Sequence, residues 1–438
     1  MNEQTSIPKN KIGRAGKLAR TGMQVGVNYL KYKARKKLTG NDDKTDFHNA
    51  TAKQTYDTFS QLKGGPLKLA QMLSMDQNMM PAQYTEQFSQ AQYNAPPLTY
   101  PLVVNTFIKE LGKKPDDIFD SFTRRAVSGA SIGQVHRATL KNRDLAIKVQ
   151  YPGVADSLKS DLAIVKPLAM RLFQIDAQSL DPYMKEVQER LFEETDYDLE
   201  LKRSEQLAAA SSHLKYTHFP KFFPDLSSRR ILTMEWVSGD HLDTFAASEA
   251  PRHEKQKIAQ ALWDFYHHQI HHLRLFHADP HPGNFKVHDH ELWVLDFGCT
   301  KSLEEKFYRD YFSLMNPVVF DDEPRFRDAL KKIGLLLDTD KPREADKLAG
   351  VFRESVELLA RPFAHGEFDF GNQSYFDELA DFGERTRTDK ELEKLNTSRG
   401  NAHALYLNRT YFGLYHLVGS LGATVTTTLP DYEVTHAA

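Results

Sequence analysis

Asp279 is followed five positions later by Asn284, and twelve residues beyond that lies Asp296-Phe297-Gly298. Oxygen-bearing side chains in this order suit a metal–triphosphate site. One carboxylate faces an attacking hydroxyl or water, while an amide and a second carboxylate hold magnesium on the nucleotide phosphates. Two loops can bring three such groups to one ion only if both return to the same edge of a sheet. The spacing therefore constrains fold and chemistry together. It predicts a loop over His277 to Phe285 and a strand, Leu292 to Leu295, leading into Asp296.

Composition narrows the class. The 438 residues allow two or three domains, and 40% hydrophobic with 26% charged residues is ordinary for a globular protein. A net charge of −2 gives no global pull toward nucleic acid or membrane. The single cysteine, Cys299, excludes an intramolecular disulfide and suits a reducing compartment. No run of apolar residues is long enough to span a bilayer, and the N-terminus lacks the apolar core of a signal peptide, so a cytoplasmic location is expected. Charge is uneven only near the N-terminus, where ten basic residues and no acidic one lie between Glu3 and Asp42. Ile12, Ala15, Ala19 and Met23 recur there at helical spacing, with Tyr29 and Tyr32 beyond. Such a segment suits an anionic bilayer surface or a solvated arm; no nucleic acid is expected as a partner.

The periodicities divide the chain. Residues 1–45 form the basic arm, and 46–118 a helical extension broken at Gly64-Gly65-Pro66 and closing at Gly112. From 119 to 240 the pattern is strand-rich with inserted helices. Val135, Arg137 and Thr139 alternate with their neighbours, a polar turn at Lys141 to Asp144 follows, and Leu145 to Val149 returns. A helical stretch over 156–210, bent at Pro167, precedes a strand from Arg230 to Val237. Residues 241–438 read as helical apart from the loop and the strand before Asp296, with a buried helix over Leu405 to Val425. A small β-rich part followed by a larger helical part predicts an α+β, bilobal protein-kinase-like fold.

The remaining nucleotide-handling residues follow. Ser128-Gly129-Ala130-Ser131-Ile132-Gly133-Gln134-Val135 occupies the place of a phosphate-covering hairpin, but only the third of the three usual glycines, Gly133, is kept. Lys148, fifteen residues after Gly133, stands where a phosphate-gripping lysine belongs, and Glu235 and Val237 where the base would be held. Glu200 is the candidate partner for Lys148. On a continuous helix Asp196 and Glu200 share a face and Glu194 lies away from them. His267/His271 and His268/His272 are i,i+4 pairs, but no metalloprotease-type glutamate follows the first histidine, so zinc is disfavoured.

Together these residues resemble the UbiB family, the AarF-type atypical kinase-like proteins linked to coenzyme Q biosynthesis. The resemblance runs from about residue 46 to 425. It rests on Ala130-Ser131-Ile132-Gly133-Gln134-Val135-His136, on Ile147-Lys148-Val149-Gln150-Tyr151-Pro152-Gly153, on Glu194-x-Asp196 with Glu200, and on Asn408-Arg409-Thr410 with Gly413-Leu414. The resemblance implies Mg-ATP chemistry, with Lys148, Glu200 and Asp279 catalytic and Asn284 and Asp296 on the metal. It also implies an N-terminal helical extension packed over the active-site cleft. Lys68-Leu69-Ala70-Gln71 matches the family's Lys-x-Gly-Gln motif with Ala70 for glycine, and its Lys68 and Gln71 would gate the cleft against Glu194 and Asp196. Ser128-Gly129-Ala130 stands where three alanines are usual.

The function so implied is an atypical kinase or ATPase supporting quinone-lipid metabolism, peripheral on the inner face of a membrane, with ATP or ADP and a lipid or quinone precursor as partners. Two alternatives stay open: a small-molecule phosphotransferase of the aminoglycoside- or choline-kinase type, and a nucleotide-gated lipid-binding or chaperone module without phosphoryl transfer. Ordinary protein kinase activity ranks lower, because Cys299 to Leu303 is expected to run directly into a helix with no Ala-Pro-Glu platform for a peptide.

Overall fold

The computed structural model describes residues 11–39, 45–62, 66, 98–129, 132–173, 177–389, 391–392, 395, 399 and 402–428. Lys68, Gln71, Ala130 and Ser131 lie outside the described residues. The described chain forms two compact units. One takes residues up to 202 together with 221–236, the other 203–220 together with 237 onward.

The first unit is built on an antiparallel sheet. Its strands are β1 (Ser121–Phe122), β2 (Ser128–Gly129), β3 (Gly133–Leu140), β4 (Arg143–Gln150) and, after the helices, Ile231–Glu235. β3 carries β1 and β2 on one edge and β4 on the other, and β4 pairs in turn with Ile231–Glu235. The turn between β3 and β4 is tighter than the predicted four residues. Lys141 and Asn142 alone form it, with φ of 50° and 60°, and Leu140 pairs Arg143 across it. Positive φ at both positions matches the right-handed twist of the flanking strands.

Alternation along β4 separates two surfaces. Leu145, Ile147 and Val149 enter a core with Val103, Phe107, Phe119, Ala138 and Ile231. Val103 and Phe107 come from a helix, Tyr100–Leu111, closed by left-handed Gly112 whose N–H bonds the Ile108 carbonyl. Lys148 and Gln150 point to the opposite face.

The helical stretch expected over 156–210 is three helices: α1 (Val154–Phe173), α2 (Ala177–Glu194) and α3 (Tyr197–Ala210). Pro167 sits inside α1. The break before α3 has a local cause: Asp196 Oδ1 accepts from the Leu199 N–H at 3.2 Å, capping the new helix. Glu194 and Asp196 therefore do not share one helix, and the wheel that set them apart does not apply.

The N-terminal basic segment is a 29-residue helix, Lys11–Thr39, lying against Thr45–Leu62 and α1. Tyr29 and Tyr32 both lie against Phe47, the first edge-on at 5.9 Å between ring centroids and the second tilted at 6.1 Å.

The second unit holds more strand than its sequence suggested. Thr217–His218, Asp240–His241, Phe285–His288 and Glu291–Val294 form a four-stranded sheet. Leu275–His277 pairs with Thr300–Ser302, and Glu367–Asp369 with Thr424–Thr426. Thr300–Ser302 corrects the expected direct passage from Cys299 into helix, which begins only at Glu305. The last helix, Ala402–Ser420, stops short of Val425, which lies in a strand. Trp263, Tyr266, Tyr411 and Tyr415 are fully buried in the core of this unit. His271 is committed there as well, its ring nitrogens 2.9 Å from Tyr308 Oη and 2.8 Å from Tyr411 Oη, so the His267/His271 pair has no ring nitrogen of His271 left for zinc. No helix among the described residues is long and apolar enough to cross a membrane.

Candidate active site

In the first unit, Lys148 Nζ lies 2.7 Å from Glu200 Oε1, with side-chain exposures of 7% and 4%. The neighbouring strands fix the lysine, which pairs with Val135 on one side and Leu232 on the other. The first turn of α3 supplies Glu200, and Tyr197 from the same turn lies beneath the ammonium, 5.2 Å from ring centroid to Nζ. Glu194 is buried at the end of α2, and Asp196 holds its cap while its other oxygen lies 3.5 Å from Arg229 Nε.

The hairpin residues divide between backbone and interior. Ser128 and Gly129 are exposed on β2, whereas Ile132 is buried with Leu98, Tyr151 and Val154. Gly133 explains its own retention. A Cβ there would lie 2.5 Å from the Val149 carbonyl oxygen and 2.8 Å from Tyr197 Oη, whereas one at Gly129 would meet nothing within 4 Å. Gln134 turns inward: its Oε1 accepts from the Leu98 N–H at 2.7 Å, and its Nε2 lies 2.8 Å from His136 Nε2. His136 Nδ1 is 2.7 Å from the Thr123 carbonyl, which fixes it as the donor and Nε2 as the acceptor. The Gln134 side chain thus ties the hairpin to Leu98. Its partners are protein groups, so any nucleotide contact here falls to its backbone. The Glu235 side chain accepts from the Lys221 N–H at 3.2 Å.

In the second unit, two strand pairings close the two loops carrying Asp279, Asn284 and Asp296. Thr300 pairs His277, and the Ala278 N–H continues that ladder to the Cys299 carbonyl at 2.8 Å. Val294 pairs Phe285, and the Leu295 N–H reaches the Asn284 carbonyl at 2.9 Å. Residues 278–284 and 295–299 are therefore tied to each other at both ends. The predicted single sheet edge is in fact the meeting of two sheets.

Within the first of these loops, Asn284 Nδ2 donates to the Asp279 carbonyl at 2.9 Å, and His281 Nδ1 accepts from the Gly283 N–H at 3.1 Å. Asp296 Oδ1 accepts from the Gly298 N–H at 2.7 Å. Beneath, a single π-helical turn, Gln269–Leu273, lets Gln269 Oε1 accept from the His277 N–H at 2.8 Å. Tyr266 Oη lies 3.0 Å from His277 Nδ1; burial, with the Asp279 charge nearby, pushes its phenol well above the ordinary range and keeps it protonated. Lys286 Nζ donates to the Val237 carbonyl at 3.0 Å, and burial lowers its pKa.

Arg409, on the helix Ala402–Ser420, donates to Asp279 Oδ1 at 3.1 Å. Local spacing could not reveal this contact, because 130 residues separate the partners. Tyr197 and Gln269 also escaped the sequence reading. Neither belongs to a spaced motif, and each acts through a hydrogen bond or ring face that only folding creates.

A family model described as the ABC1 atypical kinase-like domain matches residues 90–330. Among curated relatives, the chloroplastic protein Activity of BC1 complex kinase 8 of Arabidopsis thaliana is 30% identical over 68% of this chain and 40% of its own length. The mitochondrial atypical kinase COQ8B of Danio rerio is 26% identical over 85% of this chain and 61% of its own. The chain thus spans less than two thirds of the length of either relative. A solved complex of Rv3197 with erythromycin, from Mycobacterium tuberculosis, superposes with a TM-score of 0.59 at 24% identity, covering 87% of this chain and 95% of that one. The mixed helix–sheet architecture accords with the kinase-like domain that the family model describes. With its match running through more than half its length, this chain belongs to the ABC1 atypical kinase-like family.

Proposed function

We propose that the chain binds Mg-ATP and transfers its terminal phosphoryl group to water or to a small or lipid acceptor. Asp279 faces the attacking oxygen, Lys148 grips the phosphates and Glu200 holds Lys148 in place. Ser128 to Val135 cover the phosphates, and the backbone around Glu235 and Val237 receives the base. The observation that carries this reading is the closure of residues 278–284 against 295–299 at both ends, which gathers Asp279, Asn284 and Asp296 on two short tied loops.

The donor set fits magnesium. Asn284 spends its amide N–H on the Asp279 carbonyl, leaving its amide oxygen for a cation, and Asp296 contributes a carboxylate. Amide and carboxylate oxygens are the ligands a hard divalent ion takes. Held by Asn284 and Asp296, the ion would supply positive charge that offsets the charge of the phosphates. Asp279 then orients the nucleophile and receives its proton, while the buried Lys148 ammonium stabilises the phosphate charge. Lys68 and Gln71, with Glu194 and Asp196, gate access to this chemistry.

The quinone-lipid setting is supported by the likeness to COQ8B, and action at an anionic membrane surface by the basic helix Lys11–Thr39. In this reading the protein is cytoplasmic and peripheral on the inner face. ATP turnover measured with and without anionic liposomes, for the wild-type chain and Asp296→Asn, tests it. Turnover that Asp296→Asn leaves unchanged means the site is wrong. Rapid phosphorylation of a soluble alcohol would favour a small-molecule phosphotransferase, and tight ATP binding with negligible turnover and co-purifying lipid would favour a lipid-binding module.

A further inference from the structure

The helix Ala402–Ser420 meets the Asp279 loop at two points one turn apart. Arg409 donates to Asp279 Oδ1 at 3.1 Å, with side-chain exposures of 23% and 26%. Four residues on, Gly413 packs so closely on Pro280 that an added Cβ would lie 2.2 Å from its Cγ and 3.0 Å from its Cβ. Residues four apart share one face of a helix. A charge and a missing side chain thus meet consecutive loop residues, and the two contacts, one electrostatic and one steric, are independent of each other.

The helix is itself fixed. Tyr415 Oη donates to the Leu359 carbonyl at 2.7 Å, Tyr411 Oη lies 2.8 Å from His271 Nε2, and Asn408 Oδ1 accepts from Tyr311 Oη. The loop Asp279-Pro280-His281-Pro282-Gly283-Asn284 contains no lysine or arginine. Arg409, from this distant helix, brings a cation to Asp279.

We infer that Arg409 is a positioning residue for Asp279, and that the close seat of Gly413 on Pro280 sets the loop where Arg409 can reach it. The inference rests on the phosphoryl-transfer reading above. A charge-assisted bond to a guanidinium on a braced helix restricts the carboxylate to one orientation. Misplacing a reacting group by about 1 Å costs on the order of 100-fold in rate. Because Asp279 orients the nucleophile, the loss falls on kcat and leaves nucleotide affinity alone.

The test uses the full chain, steady-state ATP turnover with magnesium, and the affinity of a fluorescent ATP analogue. Arg409→Met is expected to lower kcat by about 10- to 100-fold, with analogue affinity changed less than about threefold, roughly 0.65 kcal/mol. Arg409→Lys recovers much of the loss, and Gly413→Ala lowers kcat with the arginine intact. The decisive comparison is Arg409→Met in the Asp279→Asn background, where it should cost nothing further. A purely structural arginine would cost the same in both backgrounds, and that result overturns the inference, as does Asp279-dependent turnover indifferent to Arg409→Met. Turnover indifferent to Asp279→Asn overturns the phosphoryl-transfer reading itself. Should Arg409→Met fail to fold, Arg409→Lys and Gly413→Ala are compared in the two backgrounds in its place.

Discussion

Lys148 and Glu200 form an ion pair with 2.7 Å between Nζ and Oε1, both side chains less than a tenth exposed. A buried pair of this kind contributes little net stability compared with an apolar pair, yet removing one partner strands the other charge. Glu200→Leu or Lys148→Met alone is expected to cost about 3–5 kcal/mol in urea unfolding. The double substitution should recover most of that cost while ATP turnover remains lost. A double variant as unstable as the sum of the singles would show that the pair is not isolated in this way.

Gly133 and Gly129 offer a sharper contrast, because the hairpin keeps one glycine for packing and the other without steric need. The Cβ of Gly133→Ala would press on the Val149 carbonyl oxygen and Tyr197 Oη, and a strand carbonyl cannot withdraw cheaply. The expected cost is about 1–3 kcal/mol, typical of an overpacked site. Gly129→Ala meets open space and is expected to change stability by less than about 1 kcal/mol, with a stabilising sign where the backbone accepts alanine. Urea midpoints compare the two; equal losses would refute the packing explanation.

The tied loops were legible in the sequence because Asp279, Asn284 and Asp296 are near neighbours and their spacing is set by the loops. The Lys148 strand was legible because period-two alternation about a polar turn marks a hairpin, although both faces of the strand prove buried from Leu145 to Gln150. The three-helix division of 156–210 was not. Its break at Asp196 depends on one side chain capping one N–H, and acidic residues in a helical pattern give no sign of which will do so. The strand Thr300–Ser302 was missed for a related reason: three residues carry no readable period, and it exists because Leu275–His277 is there to pair with it. Arg409 was visible only as part of a family-like motif, since nothing local announces a partner 130 residues away.

His136 makes stability depend on pH. Burial lowers its pKa to about 4 from the ordinary 6.5. The unfolded chain binds the proton near pH 6.5 and the folded chain only near 4, so the unfolded state holds more protons between these values. The stability contributed is fully present above about pH 6.5 and is lost as pH falls toward 4, in all on the order of 3 kcal/mol. His136→Asn, which keeps a donor toward the Thr123 carbonyl, is expected to flatten the dependence between pH 4 and 6.5. An unchanged slope in urea unfolding across that window would exclude His136 as the cause.

The helix Lys11–Thr39 presents an apolar ridge whose exposure is out of keeping with solvent. Met23, Val27 and Leu30 are 67%, 49% and 66% exposed, and i, i+4, i+7 spacing aligns them on one face. The ridge is not the one read from the sequence, which ran from Ile12 to Met23, and only Met23 is common to both. Lys31, Lys33, Arg35, Lys36 and Lys37 follow it and are all exposed. Burying part of three such side chains in an acyl boundary contributes about 1–2 kcal/mol each, and each lysine or arginine near an anionic surface about 1 kcal/mol. If this helix docks the protein on anionic membranes, Met23→Ser/Val27→Ser/Leu30→Ser should reduce binding to phosphatidylserine-containing vesicles by at least about 30-fold, given the apolar contribution above. Raising salt from about 0.1 M to 0.5 M should weaken the wild type through shorter-range screening. Neutral phosphatidylcholine vesicles should bind poorly throughout. Flotation that is the same for wild type and triple variant, or the same on neutral and anionic vesicles, would remove this helix from the membrane-docking role.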